Sequence, residues 1–215
     1  MKLTFIKPLI RDPNGLIIYN ESGKQIDTSI HESTEQLLSK TYISPYATVL
    51  ELGARYGSVS CTINKKLYDK TRQVSVEPDA RVWEALDKNI KLNGCNIKVH
   101  RGFVSKQPHY LVGDNYDKLN AYGTMSVPSK FGIAPSISVE DLQGQTGLVF
   151  DTLVADCEGF LEIFFEEHPF MYQQIHTIIF EADQAHRCDY EKIRNALKEH
   201  GFCEVVTGFQ NVYMK

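Results

Sequence analysis

Two short stretches carry acids in the same arrangement: "VADCEG" places Asp156 and Glu158 after an apolar run, and "IIFEAD" does the same with Glu181 and Asp183. Burying neighbouring carboxylates is unfavourable unless they pair, protonate or bind something, so the edge of an open site is the natural place for them. Asp156, Glu181 and Asp183 would supply hard oxygen ligands for Mg²⁺ or Mn²⁺. Asp156, Glu181 or His186, which follows in a polar loop with Arg187, could instead remove a proton without metal. Both readings stay open, as does a third in which Glu181 and Asp183 are surface acids paired with Arg187 or Lys192. The other histidines are assigned no role.

A third motif is "VLELGARYGSVSC", in which Glu51, Gly53 and Gly57 follow an apolar run as ExGxxxG. A glycine turn opening a helix lets a ligand approach the backbone, or it serves close packing alone. The spacing differs from the GxGxxG of dinucleotide binders. Glu77 ends the next strand, where a carboxylate can accept both hydroxyls of a ribose, or it caps the helix that begins near Asp79.

The elements that must position these groups alternate from residue 47 onward: strand "TVLELG", a helix near 58–68, strand "RQVSVEP", a helix over 79–92, strand "NIKVHRGFV". Short buried strands alternating with helices predict a parallel sheet covered on both faces, with ligand-binding strand ends along one edge. Strands "LVFDTLVADCEG" and "HTIIFEAD" continue it, helix "DYEKIRNALKEHGF" turns Tyr190, Ile193 and Leu197 inward, and "CEVVTGFQNVYMK" closes with an antiparallel pair. Before residue 47, a hairpin turns at Asn20 to Gly23. A helix follows with a Ser29/Glu32 capping box and an apolar face of Ile30, Leu37 and Leu38. Residues 105–135 show no period and are expected to form a long loop on the acceptor side, with Tyr110, Tyr116 and Tyr122 available to a ligand. The boundaries are therefore an N-terminal extension (1–46), a cofactor-binding half (47–104), the loop (105–135) and a catalytic half (136–215) within one domain.

Composition narrows the function. Apolar residues make up 42% and charged residues 23% of 215, as in ordinary globular proteins. A net charge of -4, with basic residues no more clustered than Lys65-Lys66, gives no attraction to a phosphate backbone. No apolar run is long enough to span a bilayer. Five cysteines without metal or redox spacing suggest reduced thiols and a cytoplasmic setting.

The ordered blocks "VLELGARYGSVS", "VSVEPD", "LDKNIKLNGCNIKVHRGFVS", "SISVEDL", "LVADCEGFLEIF" and "IHTIIFEAD" resemble the FkbM-type S-adenosylmethionine-dependent O-methyltransferases over about residues 47–183. The resemblance implies a Rossmann-like class I α/β fold, a seven-stranded sheet whose last strand is antiparallel. It implies that Glu51, Gly53, Ala54 and Gly57, with Arg55, Tyr56 and Ser58 of the same turn, cradle the methionine part of S-adenosylmethionine. Glu77 and Pro78 would meet its ribose, and Gly102, Phe103 and Val104 its adenine. Asp156 would lie near the methyl group, with Glu158, Arg187 and the loop tyrosines toward a carbohydrate acceptor. Arg55 stands where the family commonly has Asn, and the strand end reads Ala155-Asp156 where Lys or Ile precedes Asp. A NAD-dependent oxidoreductase or epimerase, and a non-catalytic module of a larger glycan-assembly protein, are the alternatives.

Overall fold

The computed structural model describes residues 15–113, 123–132 and 134–215. A two-stranded hairpin, β1 (Ile18–Tyr19) and β2 (Gln25–Ile26), opens the described chain, and α1 (Ser33–Tyr42) follows. Two β/α steps and a third strand come next: β3 (Val49–Leu52), α2 (Ser58–Lys66), β4 (Gln73–Val76), α3 (Trp83–Leu92) and β5 (Lys98–His100). Short strands β6 (Phe103–Val104), β7 (His109–Val112), β8 (Met125–Pro128) and β9 (Ser136–Ile137) lead to α4 (Val139–Thr146). The second half runs β10 (Thr152–Ala155), α5 (Leu161–Glu167), α6 (Met171–Gln174), β11 (Thr177–Glu181), α7 (Tyr190–Glu199), β12 (Cys203–Val206) and β13 (Gln210–Met214).

Seven of these strands form one sheet in the order β12-β13-β11-β10-β3-β4-β5. Strands β11, β10, β3, β4 and β5 are mutually parallel, while β13 runs antiparallel to both its neighbours. Side chains alternate between the two faces of each strand. Val49, Val154, Ile179 and Val212 pack with Leu38 and Ile43 of the α1 region and Ile63 and Leu67 of the α2 region. Leu50, Leu153, Ile178 and Phe180 pack on the other face with Leu142, Phe164, Ile193 and Leu197. The inward set expected for α7 is therefore in place, and Asp189 caps that helix by accepting from the Lys192 amide.

The N-terminal hairpin docks on α3 through two asparagines. Asn89 accepts from the Tyr19 amide and donates to its carbonyl, and Asn93 does the same for Ile17. Four local expectations need correction. The capping box does not form: α1 begins at Ser33, Glu32 has φ 54°, and its carboxylate takes the Ser58 hydroxyl instead. Of the three apolar residues assigned to that helix face, Ile30 and Leu37 are exposed and Leu38 alone is buried. Within 105–135, β7 and β8 pair as an antiparallel hairpin where an irregular loop was expected. Helix α3 starts at Trp83; Asp79 holds a preceding turn through the Arg81 amide.

Candidate functional site

The C-terminal ends of the parallel strands open into a cavity of about 340 Å³. On one side lies the turn after β3. Gly53 and Ala54 amides both donate to the Val76 carbonyl at 3.0 Å, which folds the turn back over β4. Gly53 has φ 88°, and a Cβ on it would lie 1.7 Å from the Asp156 carbonyl oxygen. A Cβ on Gly57 would come within 2.8 Å of Leu86 Cδ1. Both glycines are thus required by packing, and Gly53 also lines the cavity.

Glu77 is 5% exposed and faces the same space. Its Oε2 accepts the Arg55 amide and its Oε1 the Asp79 amide, both at 2.7 Å. The carboxylate therefore ties two strand ends together while presenting its remaining lone pairs to the cavity. Burial raises its pKa to about 7, against the lowering effect of those two amides. Pro78, Asp79, Gly102, Phe103 and Val104 continue this wall. Asp79 is held by Arg81 in a two-pronged ion pair, and Arg81 also donates to the Thr124 hydroxyl.

Not all of the turn reaches the cavity. Arg55 lines it, with its guanidinium 4.7 Å from the Tyr56 ring centroid. Tyr56 is buried and donates to Glu21, while Ser58 donates to Glu32; Ala54, Tyr56, Gly57 and Ser58 are outside the lining. Glu51 lies beneath the turn, 2% exposed, and its Oε2 takes the Ser75 hydroxyl.

Acids dominate the opposite wall. Asp156, Glu158 and Glu181 line it, joined by Glu32 and Glu35 of the α1 region. Burial, the hydrogen bond shared with Glu35 and the charge of Asp156 raise Glu181 to about 10. Burial and the surrounding carboxylates raise Asp156 well above the usual range. Gln210 donates to both Glu35 and Glu181. Glu158, at φ 53°, accepts from Gln184 at 3.0 Å.

Other sequence candidates are placed elsewhere. Asp183 Oδ1 accepts the Gly159 amide and the Tyr190 hydroxyl, and one oxygen each of Glu35, Asp156 and Glu181 cluster without it. Burial and the neighbouring Glu158 raise Asp183 to about 7. His186 is exposed and lies outside the cavity lining. Tyr110 is 38% exposed on the outer side of β7, where alternation sends its neighbour Leu111 to the cavity instead. Arg187 is taken up in donating to the Ser126 carbonyl, which fastens β8 to the domain. Tyr116 and Tyr122 lie outside the described residues. The ion pairing of Glu181 and Asp183 with Lys192 is not found: Lys192 holds Glu162 and Glu166.

No family model and no curated protein matches the chain. Solved structures do. Precorrin-6y C5,15-methyltransferase from Geobacter metallireducens superposes with a TM-score of 0.52 at 13% identity, over 86% of this chain and 90% of that one. The fold is the Rossmann-like fold of the methyltransferases. An O-methyltransferase from Bacillus cereus in complex with SAH superposes less closely (TM-score 0.46, 15% identity, 85% and 79% coverage). So does the ribosomal protein L11 methylase from Lactobacillus delbrueckii subsp. bulgaricus (0.47, 16%, 98% and 89%). Nothing in these likenesses narrows the fold to the FkbM-type family. Within this methyltransferase fold the cavity sits at the carboxyl ends of the strands, where open α/β sheets bind their ligands.

Sequence reasoning missed Glu32 and Glu35. Nothing in their spacing announces that α1 lies over the strand ends. Among the described residues no helix is long and apolar enough to cross a membrane.

Proposed function

We propose that the protein is an S-adenosylmethionine-dependent O-methyltransferase whose acceptor is a carbohydrate hydroxyl. The observation that carries this reading is a single cavity with two unlike walls. One is a backbone-built turn with Glu77 at the next strand end; the other is a bank of carboxylates. The first wall suits the donor. Glu77 can accept a ribose diol, Gly102, Phe103 and Val104 offer a largely apolar lining for a base, and those acids that ionise favour a positively charged sulfonium.

S-adenosylmethionine supplies, when bound, a methyl group already activated for transfer. What remains for the chain is to align the acceptor oxygen and take its proton. Asp156 and Glu181 face the cavity for that task, and carboxylates whose pKa is raised by burial are stronger bases than free ones once ionised. A sugar presents several hydroxyls that both donate and accept, which matches a wall of carboxyl groups that accept when ionised and donate when protonated. The same wall repels the phosphates of a nucleic acid.

Calorimetric titration with S-adenosylmethionine, S-adenosylhomocysteine and NAD tests the donor half. Saturable binding of the two sulfur compounds and not NAD is expected. Binding of NAD alone would point to the oxidoreductase reading and remove this one. Methyl release onto neutral sugars, against amines and oligonucleotides, tests the acceptor half.

A further inference from the structure

The two-residue period of the strands puts more acid in one place than the open cavity shows. Val49, Val154, Ile179 and Val212 all face α1 and α2, so Glu51, Asp156, Glu181 and Gln210, each two positions along, continue on that same face. Register keeps them side by side: Glu51 is opposite Val154, and Glu181 is opposite Gln210. Helix α1 closes the row from above with Glu35, which is buried. One oxygen from each of Glu35, Asp156 and Glu181 lies within 4.8 Å of the other two.

Beneath the main cavity these groups enclose a second, smaller one of about 20 Å³. That is room for a single ion or water. Glu32, Glu35, Glu51, Asp156, Glu181 and Gln210 supply its polar lining, and no Lys, Arg or His contributes. Glu51, 2% exposed, has an Oε1 with no hydrogen-bond partner, and the Gln210 Oε1 is likewise unpartnered. Buried acceptors without donors are costly, and a divalent cation would satisfy several of them together.

We propose that Glu35, Asp156 and Glu181 bind a hard divalent cation at this small cavity, with Glu51 completing its acidic lining. Oxygen donors without sulfur or imidazole select Mg²⁺, Mn²⁺ or Ca²⁺. Opposed oxygens stand about 4.2 Å apart around Mg²⁺ and about 4.6–5.2 Å apart around Ca²⁺, so the observed spread spans such an ion without backbone movement. Asp183 is excluded, since its Oδ1 is committed to Gly159 and Tyr190. Because Glu35, Asp156 and Glu181 also line the large cavity, a bound cation faces the acceptor space. There it would hold the acceptor oxygen and acidify its proton, a role that rests on the methyltransferase reading; the site itself does not.

Electron paramagnetic resonance of free Mn²⁺, titrated with the full chain at pH 7.5, tests the site. One Mn²⁺ per chain is expected, displaced by Mg²⁺ or Ca²⁺. Glu35→Gln and Glu181→Gln should each weaken it at least tenfold and abolish the rise in melting temperature that Mn²⁺ produces in the unaltered protein. Glu158→Gln, which lines only the outer cavity, should leave the affinity within twofold. Absence of bound Mn²⁺ at millimolar concentration, with or without S-adenosylhomocysteine, overturns the proposal, as does binding indifferent to both substitutions. S-adenosylhomocysteine binding, followed by calorimetry on the same samples, separates the two ideas. Its persistence without Mn²⁺ binding sinks the cation alone, and its absence beside intact Mn²⁺ binding sinks the donor site alone.

Discussion

The two walls of the cavity solve opposite problems. On the β3–β4 side nearly every polar group has a protein partner: Val76 accepts two turn amides, Glu77 accepts two more, and Asp79 holds Arg81. On the β10–β11 side carboxylates face one another, with Gln210 donating to two of them while its own Oε1 is unpartnered. A satisfied wall is rigid without a ligand; an unsatisfied one is held in place by its neighbours and waits for a compensating charge or proton. The β3–β10 ladder keeps them in register, and its end is closed by the tight approach of Gly53 to the Asp156 carbonyl.

Breaking that contact should have the largest effect. Gly53→Ala would force a Cβ into the Asp156 carbonyl at φ 88°, and a loss of more than about 4 kcal/mol is expected, read as a lowered urea midpoint together with lost cofactor binding. A neutral outcome would mean that the walls are not coupled at Gly53.

The pH dependence of stability sharpens the contrast next. Glu51 and Glu77 have folded-state pKa values of about 7, above the unfolded value near 4.5, so the folded state binds more protons. Their contribution to stability is fully present below about 4.5, falls as pH rises from there to about 7, by on the order of 3 kcal/mol for each group so shifted, and is level above that. Glu181, raised to about 10, extends the loss to higher pH. Thermal melts from pH 5 to 9 should show the decline, and Glu181→Gln should flatten its upper part. A melting temperature that climbs across this range would contradict the burial of these acids in ionisable form.

Smaller is the expected cost of Glu77→Ala. Two amides lose their acceptor at about 1 kcal/mol each, partly offset by removing a buried carboxylate, so a net loss of about 1–2 kcal/mol should accompany at least a tenfold fall in S-adenosylhomocysteine affinity. Lost stability with unchanged affinity would leave Glu77 a structural clamp only. The smallest effects belong to Tyr110→Ala and His186→Ala. Both side chains are exposed and outside the lining, and chemical denaturation should show changes within about 0.5 kcal/mol, with methyl transfer unchanged.

Much of the frame was legible because its signals are local. Apolar runs of four or five residues between helical patterns located the strands, and the Asp189 cap and the spacing of Tyr190, Ile193 and Leu197 located α7. The β7–β8 hairpin was not legible: its strands pair across the long stretch between Val112 and Met125, with no tight-turn signature to announce them. The capping box at Ser29 and Glu32 failed for a related reason, since the Glu32 carboxylate accepts from Ser58 on another helix, a partner that the local sequence does not announce. At the site, Glu77, Asp156 and Glu181 were visible as acids ending apolar runs, whereas Tyr110 and Leu111 could not be told apart as wall and surface until the face of β7 was known.

By itself the sequence determines parity. Backbone geometry alternates side chains along a strand, so Glu51 must share a face with Val49, Asp156 with Val154 and Glu181 with Ile179 wherever those strands end up. Which acids meet was decided only by tertiary structure. Helix α1 settles on that face because Leu38 and the adjoining Ile43 pack with Val154, Ile179 and Val212 from distant parts of the chain, and this docking brings Glu35 to Asp156 and Glu181. Asp183, one turn of the same logic away, is instead drawn to Gly159 and Tyr190. A short-range period can specify a face; placing a helix across it is a sum of long-range apolar contacts that no local pattern records.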